Sequence, residues 1–164
     1  MPDWITHIAV AYILCTLLGF KYKEFNTGNT VLAMVGSVIP DFIKVGIITE
    51  YLGIGVWDFI APIHLPIGSF IIAGILSLFF KERKTAFLFL SLGVITHYGL
   101  DLLLRNVSGG IYLFYPLYWG QWQLGLVATD DFTISMVALI VAVVVYMISR
   151  LKKNQNKEEH EDKD

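Results

Sequence analysis

The chain has 164 residues, of which 55% are hydrophobic and only 16% charged, with a mean hydropathy of +0.63 and a formal net charge of -2. A soluble domain has about a quarter of its residues charged, and so short a chain leaves too much surface exposed to hide this many apolar side chains from water. The composition therefore excludes an ordinary soluble domain and predicts an integral membrane protein, and the absence of a basic stripe with interleaved aromatic residues makes nucleic-acid binding unexpected.

Five apolar stretches of near-transmembrane length follow one another along the chain, at residues 5–20, 30–48, 63–80, 86–104 and 132–149. A helix of about 20 residues crosses a hydrocarbon core of about 30 Å, and lipid requires closed backbone hydrogen bonding. The predicted fold class is therefore all-α, a polytopic bundle of about five transmembrane helices. Residues 1–150 form the predicted transmembrane domain and residues 151–164 a charged cytoplasmic tail, while Asp130 and Asp131 are expected N-caps of the fifth helix.

Basic residues gather on one predicted side of this bundle. The short connections 21–29 and 81–85 are basic, as is the start of the tail after Arg150. The positive-inside rule places that side in the cytoplasm, with the N-terminus outside and the C-terminus inside. The long connection 105–131 then lies outside, and its many aromatic residues indicate that it lies in the membrane interface or folds back over the helices.

A few ionisable residues interrupt the first four apolar stretches, where such residues are costly and usually functional. Measured from the basic end of each helix at about 1.5 Å per residue, all of them fall between about 17 and 25 Å along the bundle. Side chains from four helices of alternating direction therefore share one level in the predicted outer half of the bilayer. They are His7, Asp41, His64, His97 and Asp101.

Imidazole and carboxylate are ligands for zinc and similar divalent ions, so this shared level predicts a metal site. His97 and Asp101 are four residues apart and share one helix face. Asp41 follows Pro40, which frees a backbone carbonyl and can kink the second helix. A cation also offsets the cost of burying two carboxylates together.

Three other interpretations remain open for these residues. A single membrane histidine is often a hydrogen-bonding packing residue, Asp101 is spaced to pair with Arg105, and Asp41 can satisfy backbone groups loosened by Pro40. The same groups also suit a proton or ion pathway. A transporter is less favoured, because no inverted repeat is visible in the sequence.

Four short segments carry a resemblance to a known family. They are WITHIAVAYIL around His7, GSVIPDFIK around Asp41, PIHLPIGS around His64, and ITHYGLDLLL around His97 and Asp101. In this order they resemble the membrane-bound metal-dependent hydrolases, also described as LexA-binding, inner-membrane-associated hydrolases. The order of histidines and aspartates is also similar to the metal cluster of zinc-dependent phospholipase C and the P1-type nucleases.

The resemblance implies a multi-pass protein of the inner (cytoplasmic) membrane that binds one or two divalent ions, zinc by preference. Asp41, His64, His97 and Asp101 would hold one ion, and His7 with a shared Asp101 would contribute to a second. The implied activity is hydrolysis of a phosphoester in an amphiphilic or lipid substrate, with Asp41 and Asp101 as catalytic residues. The alternative is a non-catalytic membrane protein whose cluster is a structural metal site or a polar core.

The predicted orientation has a direct test. Moving the basic residues Lys81, Arg83 and Lys84 to the opposite end of their helices is expected to disturb the topology, because these loop charges set it. Labelling of cysteines introduced on either side with a membrane-impermeant maleimide measures the change. Unaltered labelling would show that these charges do not orient the chain.

Overall fold

The computed structural model describes residues 4–55, 57–105, 110–128 and 132–161, and these are mostly helical. The helices are α1 (Trp4–Gly19), α2 (Thr27–Gly36), α3 (Ile43–Tyr51), α4 (Trp57–Ile60), α5 (Pro66–Ser77), α6 (Arg83–Leu103) and α7 (Phe132–Glu161). A first 3-10 turn spans Ile39–Phe42, a second spans Ala61–His64, and two short strands are β1 (Leu104–Arg105) and β2 (Val127–Ala128). The predicted all-α membrane fold is confirmed.

The apolar helices differ in their ability to cross a membrane. By length and composition, α6 and the 132–155 part of α7 are long and apolar enough, and α2 with the segment 39–51 makes a third candidate that bends by 43°. The helices α1 and α5 are apolar but shorter, with 16 and 12 residues. Each of the five predicted stretches therefore contains helix, but the structure does not give five continuous spans of full length.

Prolines account for the two departures from the expected helices. Pro40 lies in the first 3-10 turn and divides the predicted second helix, because proline has no N–H to donate in a helix interior. Pro62 and Pro66 shorten the predicted third helix, since the second 3-10 turn precedes Pro66 and α5 begins at Pro66 itself. Pro40 directly precedes Asp41, and Pro62 and Pro66 lie on either side of His64, so both interruptions adjoin residues of the predicted metal site.

The central helix α6 packs against α2 through small residues. A Cβ atom on Gly93 would lie 2.0 Å from the Ala33 carbonyl oxygen, and one on Gly36 would lie 2.1 Å from the Leu90 carbonyl oxygen. The two backbones therefore approach each other as small-residue interfaces in membranes allow. On another side of the bundle, α1 contacts α7, where the Thr6 and Ser135 hydroxyls lie 2.8 Å apart.

The described part of the long connection, residues 110–128, folds back over the helices. The Leu124 N–H donates to the Leu102 carbonyl over 2.7 Å, β1 pairs with β2 in parallel, and Ile111 is buried in the core with Leu90 and Val94. This is one of the two arrangements that its apolar sequence predicts. The charged tail continues α7 as helix through Glu161, and the predicted caps Asp130 and Asp131 lie outside the described residues.

The close crossing of α2 and α6 predicts a large effect of a single methyl group. Gly93→Ala is expected to destabilise the bundle by about 1–3 kcal/mol, the usual cost of overpacking, because the nearest atoms belong to backbone. Gly99→Ala on the same helix is the matched control, since a Cβ there meets nothing within 4 Å. Thermal unfolding in detergent measures both, and equal stability of the two variants would contradict the assigned crossing.

Candidate metal centre

The structure gathers the five predicted side chains at one place in the bundle. His7 comes from α1, Asp41 and His64 from the two 3-10 turns, and His97 and Asp101 from α6. Four of these residues are at most 3% exposed, whereas His64 is half-buried. Whether the cluster binds a metal stays a prediction. The side chains that the helical rise places at one level do lie close together in the structure.

The break between α2 and α3 supplies the backbone groups that hold His97. Pro40 has no N–H, and the Asp41 N–H donates to the Val38 carbonyl over 3.0 Å. The Ser37 carbonyl therefore remains available beyond the end of α2, and His97 Nδ1 lies 2.8 Å from it. The glycine crossing of α2 and α6 is what lets a residue of α6 reach this carbonyl.

His64 is held in the same way by the first 3-10 turn. Its Nδ1 atom lies 3.1 Å from the Pro40 carbonyl oxygen. A carbonyl oxygen only accepts, so Nδ1 carries the proton in both His64 and His97. Ligand histidines in metal sites usually donate their second ring N–H in this manner, which fixes the tautomer and directs Nε2 towards the ion.

The carboxylate of Asp101 faces two of the imidazoles. His97 Nε2 lies 3.2 Å from Asp101 Oδ2, and His7 Nε2 lies 3.7 Å from Asp101 Oδ1. With Nδ1 of His97 already protonated, its Nε2 lone pair and the carboxylate oxygen repel unless a proton or a cation lies between them. This buried contact therefore suits a shared proton, held by the imidazole or by the carboxyl group, or a bound cation.

Two of the imidazole rings also stack on each other. The His7 and His97 rings stack with centroids 3.8 Å apart and planes inclined by 18°. Two like charges at this separation would repel strongly in a low-dielectric interior. Neutral imidazoles around a divalent cation satisfy the same carboxylates without that repulsion.

The potential ligand atoms form two sets of three. One atom from each of His7, His97 and Asp101 lies within 4.8 Å of the others, and so does one atom from each of Asp41, His64 and His97. The donor chemistry and the spacing both suit a zinc-like ion. The residue common to both sets is His97, whereas the family resemblance implies that Asp101 is shared. Because the Nδ1 atom of His97 is engaged with Ser37, one ion bound through Nε2 fits this arrangement best.

Several supporting residues were not identified from the sequence. The Tyr98 hydroxyl donates to the His64 carbonyl over 3.0 Å and lies 2.9 Å from the Ser69 hydroxyl, which donates to the Ile63 carbonyl over 2.6 Å. These bonds fasten the second 3-10 turn to α5 and α6. No sequence signal points to them, because neither residue type is unusual in a membrane helix.

Lys44 is the other residue that sequence reasoning missed. Its ammonium donates to Asp41 Oδ2 and lies 5.9 Å from the centre of the Trp4 ring, and its side chain is 27% exposed. The three-residue spacing from Asp41 is a helical pairing distance and would have been a usable signal. Lys44 gives the cluster a partly exposed cation at its edge.

The fold and the cluster together define a helical membrane protein with a buried histidine–aspartate centre. The family model of the YdjM inner membrane protein matches residues 61–158, which is more than half of the chain. The chain therefore belongs to the YdjM inner membrane protein family, and its predicted inner-membrane location is confirmed. The match includes His64, His97 and Asp101. Neither the curated proteins nor the solved structures contain a significant match.

The metal assignment is tested by measuring the metal content of the purified protein. Protein purified in detergent is expected to contain zinc or manganese, and His97→Ala is expected to lose it, because His97 belongs to both ligand sets. Thr96→Ala is the control, since the Thr96 hydroxyl bonds within its own helix to the Gly93 carbonyl. Elemental analysis measures both variants. Full metal content in His97→Ala would remove the assignment.

Proposed function

We propose that this protein is a metal-dependent hydrolase of the inner membrane that cleaves a phosphoester in an amphiphilic substrate. The observation that carries the proposal is the grouping of the ligands in threes around histidines whose Nδ1 atoms donate to backbone carbonyls. Three protein ligands with an open fourth position are typical of catalytic zinc, whereas structural zinc is closed by four. A bound ion would supply an activated water and polarise a phosphoryl oxygen.

The two aspartates have different surroundings and therefore different proposed roles. Asp101 lies against His7 and His97 in the buried part of the cluster, so it serves as a ligand and orients the neighbouring imidazoles. Asp41 lies at the edge, where Lys44 engages Oδ2. Asp41 is the carboxylate placed to orient an attacking water or accept its proton.

Lys44 and His64 form the partly exposed edge of the cluster, and the chemistry of this edge suits an anionic substrate. Lys44 is partly exposed, and an ammonium group is a common partner of phosphate oxygens in proteins. Trp4 lies beside Lys44 and is 42% exposed, and tryptophan is enriched where protein meets the membrane interface. A substrate with a phosphate head and an apolar portion matches both neighbours.

A structural role for the same metal is the second candidate, and burial favours it. Four of the five side chains are at most 3% exposed, namely His7, Asp41, His97 and Asp101. The ligand set of His7, His97 and Asp101 therefore offers little surface to a substrate. In this role an ion would tie α1, α6 and the two 3-10 turns together. Removal of the ion would then lower the unfolding temperature strongly, and no phosphoester would be turned over.

The enzymatic proposal is tested by Asp101→Asn. This change is expected to abolish hydrolysis of phosphodiester and phosphomonoester substrates, because a neutral amide replaces the charged carboxylate of a proposed metal ligand, while leaving membrane insertion intact. Asp58→Asn is the matched control because Asp58 is exposed on α4. Turnover measured with purified, metal-loaded protein decides the matter, and unchanged rates in Asp101→Asn would exclude Asp101 from the active site.

A further inference from the structure

A second polar feature lies at the opposite end of the bundle from the histidine–aspartate centre. It is a cavity of about 590 Å³ between α1, α2 and α7, a volume within the range of roughly 300–1,000 Å³ that is usual for ligand sites. Along α1 its lining runs from Tyr12 to Gly19, which are 5 and 12 residues beyond His7, or about 8 and 18 Å along the helix. None of its described lining residues belongs to the candidate metal centre, so the two are distinct features.

The mouth of this cavity is positively charged. Arg150 and Lys153 of α7 line it together with Ser149 and Asn154, and the described lining residues include no carboxylate. Arg150 Nε donates to the Tyr146 hydroxyl over 3.0 Å, and its guanidinium lies 5.7 Å from the centre of the Tyr146 ring. Tyr146 thus holds the Arg150 guanidinium beside the cavity, and the side chains of Ser149 and Asn154 add hydrogen-bond donors to the same lining.

The interior of the cavity is more apolar and lies deeper along the helices. Val31 and Met34 line it together with Tyr12 and Thr16, whereas Phe20 lies at the mouth, where Lys152 Nζ is 4.8 Å from the centre of its ring. Arg150 follows the start of α7 at Phe132 by 18 residues, or about 27 Å, close to the thickness of a hydrocarbon core. The cations therefore lie at the level of lipid headgroups, and the apolar lining lies at the level of acyl chains.

We propose that this cavity binds an anionic phospholipid, with its phosphate at Arg150 and Lys153 and an acyl chain along Val31 and Met34. The charge of the mouth selects the headgroup, and basic pockets between transmembrane helices are a known form of lipid site. A second cavity of about 630 Å³ between α2, α5 and α6 has Glu82 beside Lys81 at its mouth. Its mixed charge gives no comparable preference for an anion.

The test measures lipid bound to the purified protein by native mass spectrometry. Dioleoyl phosphatidylglycerol and dioleoyl phosphatidylcholine are compared, because they share acyl chains and differ in headgroup charge. The protein carries Asp101→Asn throughout, so that any hydrolysis at the other site does not consume the probe. Phosphatidylglycerol is expected to bind at least tenfold more tightly than phosphatidylcholine.

Two sets of variants assign that preference to the cavity. Arg150→Gln with Lys153→Gln is expected to reduce phosphatidylglycerol affinity at least tenfold. Lys81→Gln with Lys84→Gln removes the same charge at the other basic connection and is expected to change it less than twofold. Equal losses in the two double variants would mean general surface attraction, and equal binding of the two lipids would likewise overturn the proposal.

The apolar part of the site is tested without changing charge. Met34→Trp fills the interior and is expected to lower phosphatidylglycerol binding at least fivefold, and it also serves if the double cation variant does not fold. Inorganic phosphate at millimolar concentration is expected to leave the lipid bound. Full lipid binding by Met34→Trp, or displacement of the lipid by phosphate alone, would reduce the site to a phosphate-binding surface and contradict the proposal.

Discussion

The interruption of the second apolar segment at Pro40 determines how the histidine–aspartate centre is held. A continuous helix would use the Ser37 carbonyl in its own hydrogen-bond ladder. With the helix broken there, the Ser37 and Pro40 carbonyls accept hydrogen bonds from the Nδ1 atoms of His97 and His64. In a bundle surrounded by lipid, irregular backbone is tolerated only where protein groups satisfy it. The break and the imidazoles therefore depend on each other.

That arrangement depends in turn on how closely α2 and α6 approach. Gly36 and Gly93 remove the side chains that would separate the two backbones, and van der Waals packing between small residues is a main source of helix association in membranes. The same approach brings His97 within 2.8 Å of the Ser37 carbonyl. Packing and the chemistry of the centre thus rely on the same crossing.

The two ends of the bundle present opposite electrostatic problems. At one end two carboxylates, Asp41 and Asp101, are buried; Lys44 engages Asp41, and the proposed ion would offset the charge of Asp101. At the other end Arg150 and Lys153 line a cavity, and their positive charge favours binding of an anion. The proposed cation site and the proposed lipid site share no described residue, so each can be tested without changing the other.

The sequence by itself determined the membrane-embedded helical class, the positions of the apolar stretches and the identity of the buried ionisable residues. Composition and helical rise carry that information, because lipid leaves few ways to place a charge. It did not determine the lengths of the helices around Pro40 and Pro66, since a proline can kink, break or begin a helix.

Only the tertiary structure decided that His97 is common to both ligand sets, that Lys44 engages Asp41, and that Tyr98 and Ser69 fasten the second 3-10 turn. Those relations depend on the rotation of each helix about its axis and on which carbonyls a broken helix releases. Distance along a chain fixes the depth of a residue in a membrane, whereas the neighbour it faces is set by packing with other helices.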